Sequence, residues 1–176
     1  MKSFLLILIV LLVNISLSHS QITQPTPPKP DYDSTLAMTA RLISTGEYAK
    51  AGELLKDFPE NDTAYATALD KLNICYLGSE KWDESLKVSE KGLTLNSQYK
   101  RHFYEMHAAA LVEKSEFSKA IETLQQGFRE FPQYTRFFYH LGVAYKNSKD
   151  YVKAEEYIRK SIRTNPFPCS AFNCAL

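Results

Sequence analysis

Cysteine, glycine and surplus charge are all scarce in this chain, and each shortage removes a class of protein. Three cysteines, Cys75, Cys169 and Cys174, are too few and too unevenly placed for a disulfide framework. Cys169 and Cys174 have no second Cys or His pair nearby to complete a metal set, so a local disulfide or two free thiols is expected there. Six glycines that never come closer than Gly46 and Gly52 leave no room for a phosphate-cradling loop. There is also no Gly-x-Ser-x-Gly elbow and no His-Glu-x-x-His site. Of four histidines, His19 lies near the N-terminus, His107 falls in an apolar column, and His102 and His140 are far apart without a paired nucleophile. No catalytic residue, metal site or cofactor is expected. A formal net charge of +1 argues against a nucleic-acid protein, which needs basic surplus to neutralise phosphates.

The one long apolar run, Phe4 to Val13, is short of the roughly 20 residues needed to span a membrane. With Lys2 before it and Ser18-His19-Ser20 after it, residues 1–20 read as a secretory signal peptide cleaved before Gln21. No cysteine sits at that point to carry a lipid, so the mature protein is expected to have no membrane span. Residues 21–31 form a Pro-rich leader that holds four of the eight prolines and little to bury. Export is therefore expected, to a bacterial periplasm or otherwise by secretion; Asn61-Asp62-Thr63 would be a glycosylation acceptor in a eukaryotic pathway.

Residues 32–168 repeat at one period, in blocks 32–65, 66–99, 101–134 and 135–168, with Lys100 as the single interruption. In the fourth block Phe138, Leu141 and Tyr145 line one face of a first helix, and Ala154, Ile158 and Ser161 one face of a second. Lys146 to Asp150 is a polar break between them. Two columns run through all four blocks: a small residue (Ala51, Ser85, Ala120, Ala154) and, three places earlier, an aromatic (Tyr48, Trp82, Phe117, Tyr151). Small residues let paired helices approach closely, and the aromatics cover the turn. A generic helical bundle has no reason to keep such a period.

This pattern resembles the tetratricopeptide repeat, most clearly in Phe138, Leu141, Gly142, Tyr145, Ala154, Ser161 and Pro166. The third block departs at His107, the second at Asn73 and Ser97, and the first at Phe58, where Pro59 is expected to end the second helix early. The resemblance implies an all-α, right-handed solenoid of four stacked helix-turn-helix repeats after a signal peptide. It implies a protein-interaction module whose first helices form a concave face. Groove residues carried over are Arg136, Tyr139, Val143, Lys146 and Asn147 in the fourth block, His102 and Glu105 in the third and Asp70 in the second, with His140 beside them. The family's carboxylate clamp is missing, because its groove asparagine is replaced by Ala40, Ile74, Ala109 and Val143.

The blocks carry charges of −3, −1, −1 and +4 along the chain. A protein or peptide partner with an acidic segment is expected at Arg136, His140 and Lys146, because opposed potentials steer docking. A structural alternative places the protein in a larger assembly, or as part of a longer array. Residues 169–176 look like the start of an incomplete fifth repeat, and self-association through that end would cover the last apolar face.

Overall fold

The computed structural model describes residues 31–164, and the signal, leader and tail expectations lie outside them. The described residues form eight α-helices and no strand. They are α1 (Tyr32–Ser44), α2 (Tyr48–Leu55), α3 (Tyr65–Gly78), α4 (Trp82–Thr94), α5 (Lys100–Glu113), α6 (Phe117–Glu130), α7 (Arg136–Asn147) and α8 (Tyr151–Thr164). The aromatic column supplies the first residue of α2, α4, α6 and α8.

Each helix packs on the next, and the odd-numbered helices also touch one another: α1 with α3, α3 with α5, α5 with α7. The even-numbered helices make no such contacts with each other. A layer whose members are close enough to touch lies on the inside of a curve, and a layer whose members are spread apart lies on the outside. The odd helices therefore form the concave wall of the solenoid, as repeat stacking requires.

The turn inside every unit is built the same way. Gly46, Glu80, Ser115 and Lys149 take the left-handed conformation, with φ between 58 and 77°. The following amide reaches back to the odd helix: Glu47 N–H to the Leu42 carbonyl (2.8 Å), Lys81 to Tyr76 (2.9 Å), Glu116 to Leu111 (2.8 Å) and Asp150 to Tyr145 (3.0 Å). This is a Schellman closure, which satisfies carbonyls that a helix end leaves unpaired.

The small column is buried throughout, with Ala51, Ser85 and Ala120 fully inaccessible. The departure at Asn73 in the second unit is partly matched in space, its oxygen being paired and its amide nitrogen not. Ser85 Oγ donates to Asn73 Oδ1 at 2.6 Å, so two polar side chains replace an apolar contact without leaving the acceptor bare. Between units, Phe103 and Phe137 are completely buried against Gly92 and Gly127 of the preceding even helix. The first junction inverts the sizes. Phe58 takes the glycine's place, Ala68 the phenylalanine's, and both lie in one buried cluster. The Tyr32 ring packs on Phe58 with centroids 4.7 Å apart. α2 stops at Leu55, shortly before Pro59, whose ring and missing N–H cannot continue a helix.

Candidate partner-binding groove

On the odd helices, residues three, four and seven apart share a face. One such face packs on the even helix of the same unit, and the opposite one opens on the concave side. That opening holds two adjoining cavities. The first, about 580 Å³, is walled by Ile43, Ile74, Leu77, Met106 and Ala109, with Asp70, His102, Glu105, Arg136 and His140 among its lining. The second, about 800 Å³, lies between the third and fourth units, takes in Tyr139, Val143, Lys146, Asn147 and Glu113, and reaches Ala154, Glu155 and Ile158 of α8. Ala109 and His140 line both. All nine residues carried over from the sequence thus face one of two neighbouring cavities.

Met106, Ile43 and Tyr48 line the first cavity without having been singled out. Their signals were present. Met106 occupies the place in its unit that His140 occupies in the next, Ile43 corresponds to Leu77, and Tyr48 belongs to the aromatic column. A Cβ on Gly78 would sit 2.5 Å from the Tyr48 ring, so glycine there makes room for that ring at the groove's inner end.

The charges form a ladder across three helices. Asp70 on α3 lies 3.4 Å from His102 Nδ1 on α5. Glu105 Oε1, also on α5, lies 3.2 Å from His140 Nε2 and 3.4 Å from Arg136 Nε on α7. The Tyr134 hydroxyl donates to Glu105 Oε2 at 3.2 Å. Burial opposes ionisation of Glu105, but His140, Arg136 and His102 together outweigh it and hold its carboxyl below the ordinary range. Burial, reinforced by Glu105, pushes the Tyr134 phenol up to about 12. The guanidinium groups of Arg101 and Arg136 lie 5.2 and 6.0 Å from the Tyr134 ring centre. Arg136 and His140, expected to await an acidic partner, are therefore already turned toward Glu105. Lys146 makes no ion pair among the described residues.

No cluster of three or more metal-ligating side chains occurs among the described residues, and no described helix is long and apolar enough to cross a membrane.

Residues 135–168 match the family model of the tetratricopeptide repeat, with the same limits that the period assigns to the fourth unit. The fourth unit is a tetratricopeptide repeat, and the eight described helices have the fold of a tetratricopeptide-repeat solenoid. Solved structures share the fold of this repeat protein at low identity. MamA from Desulfovibrio magneticus RS-1 is 19% identical, with a TM-score of 0.61 over 76% of this chain and 75% of that one. Another MamA structure is 21% identical, with a TM-score of 0.63 over 83% and 79%. YrrB, described as a TPR protein with an unusual peptide-binding site, is 17% identical, with a TM-score of 0.60 over 75% and 68%. No curated protein matches the sequence. At these identities the likeness concerns the fold of the tetratricopeptide-repeat array alone.

Proposed function

We propose that this protein is a non-enzymatic interaction module that holds a segment of a partner protein along its concave groove, acting outside the cytoplasm, most simply in a periplasm. The observation that carries the reading is the continuous opening lined by apolar walls and a few charged side chains, the composition of a binding site rather than of a solvated surface. The export assignment rests on residues 1–20 alone. The peptide-binding site ascribed to YrrB is compatible with such use of this fold. The acidic part of a partner, expected from the basic fourth unit, is assigned to the outer cavity at Lys146, because Glu105 already faces Arg136 and His140.

Ala109 lies where the two cavities meet, so Ala109→Trp fills the opening without touching the buried core. A partner crosslinked to the native protein in cells should lose its attachment in Ala109→Trp while the melting temperature stays close to wild type. Unchanged crosslinking would refute a groove-based function. In the same complex Lys146→Glu should weaken affinity and reduce its salt dependence.

One observation supports a second reading, assembly with another copy of the chain. α8 packs on α7 alone among the described helices, whereas α2, α4 and α6 each pack on two odd helices. Tyr151 and Ile162, three turns apart on one side of α8, remain 65 and 51% exposed. If that side joins copies, light scattering of the mature protein gives a multiple of the monomer mass, and Tyr151→Lys with Ile162→Lys returns it to the monomer. A wild-type monomer at all concentrations rules assembly out.

A further inference from the structure

The inner cavity is furnished for a guest of opposite sign to the one that the basic fourth unit suggests. Asp70 is only 9% and Glu105 only 6% exposed, yet both carboxylates border the open cavity. Asp70 Oδ1 and Glu105 Oε1 are enclosed by the protein and accept no hydrogen bond from any described residue: the histidine and arginine nitrogens beside them come within 3.2 to 3.4 Å but are not aligned to donate, so the charge of each carboxylate is only partly offset. An ionised carboxylate removed from water needs a directed cationic donor to offset its lost hydration. Charge near it lowers the cost, but an unaligned neighbour leaves the lone pair empty. Apart from these charged and imidazole groups, the cavity is lined mainly by apolar residues, Ile43, Leu77, Ile74, Met106 and Ala109 among them.

We propose that the inner cavity receives a Lys or Arg side chain of the partner segment, flanked by apolar residues, with Asp70 as its acceptor and Glu105 adding negative potential behind it. This rests on the groove-binding reading above and says which chemistry that groove selects. The ammonium or guanidinium group donates to Asp70 Oδ2, the carboxylate oxygen that is not enclosed, forming a charge-assisted bond in a water-poor site where such bonds are strongest. The aliphatic stem and neighbouring apolar side chains cover Ile74, Leu77 and Met106. An acidic side chain placed at the same point would face two buried carboxylates, so the cavity rejects it as well as attracting the cation. Together with Lys146 at the outer end, the groove then reads a segment with a basic residue inward and an acidic residue outward, which sets the direction in which the segment lies.

The test is selection of short random peptides displayed on phage against the full mature chain, followed by affinity measurement with the synthetic winners. Selected peptides should carry Lys or Arg beside apolar residues. Asp70→Asn, and independently replacement of the peptide's lysine by norleucine against wild-type protein, should each weaken binding by about tenfold or more. Combining the two should add little further loss. The norleucine arm keeps the test valid if Asp70→Asn folds poorly. Peptides that compete in the groove, shown by loss of binding to Ala109→Trp, but lack a basic residue or ignore Asp70→Asn would overturn the assignment and leave groove binding standing. Peptides indifferent to Ala109→Trp, or no enrichment at all, would overturn both.

Discussion

A Cβ added to Gly92 would come 2.5 Å from ring carbons of the fully buried Phe103, and no real side chain tolerates that distance. The ring has nowhere to go, so Gly92→Ala should cost about 1 to 3 kcal/mol by overpacking, read as a lower urea midpoint with unchanged slope. The turn residues point the other way. Ser115 holds a left-handed φ of 62°, which is strained for any residue with a Cβ. Ser115→Gly relieves that strain and loses some chain entropy, for a net gain of about 0.5 to 1 kcal/mol, visible as a raised melting temperature.

His107 shows how a departure from the repeat is absorbed. Ser89 Oγ lies 2.8 Å from His107 Nδ1 and within hydrogen-bond reach of the Ser85 and Leu86 carbonyls, so the imidazole sits in a polar niche rather than an apolar one. Burial holds the His107 pKa below its ordinary 6.5, against the opposing pull of Glu90 and the Leu86 carbonyl. The unfolded chain therefore binds a proton more readily than the folded one. The contribution of neutral His107 is complete above about pH 6.5 and falls away as the pH drops below that value toward the folded-state pKa. His107→Gln should flatten this part of the curve, and the difference between wild-type and variant unfolding free energies from pH 7 to 5 measures it.

At the scale of elements, stability should follow position in the stack. α3 and α5 each pack on four other helices, but α8 packs on one. In a chain of nearest-neighbour contacts the ends open first. Amide exchange should be slowest in α3 to α6 and fastest in α1 and α8; uniform protection across all eight helices would contradict the nearest-neighbour picture. The helices themselves were legible in the sequence. The aromatic column marks where each even helix begins, and the polar stretch after each odd helix contains the left-handed turn. The size exchange at the first junction was legible too, but only by comparing two columns at once. Phe58 looks like an error in its own column and becomes a fit once Ala68 is set beside it.

For the whole molecule, the spacing showed which face of each odd helix packs on its partner helix, and the family resemblance implied that the opposite face would be concave. Eight of the nine groove positions were carried over from that resemblance, with His140 added beside them. The charge ladder was not. Asp70, His102, Glu105, Arg136 and His140 lie on three different helices, and the repeat says that they face one opening without saying which will meet. Their pairing depends on the distance and angle at which successive units stack, which summed charge conceals: the fourth unit is the most basic, yet Arg136 and His140 lie against Glu105. Sequence alone determined the period, the helices and the turn positions, since all of these are set by spacing along one chain. Only the tertiary structure decided that two carboxylates would be buried at the groove's inner end with acceptor oxygens unfilled, because that is settled by packing between units, through space rather than along the chain.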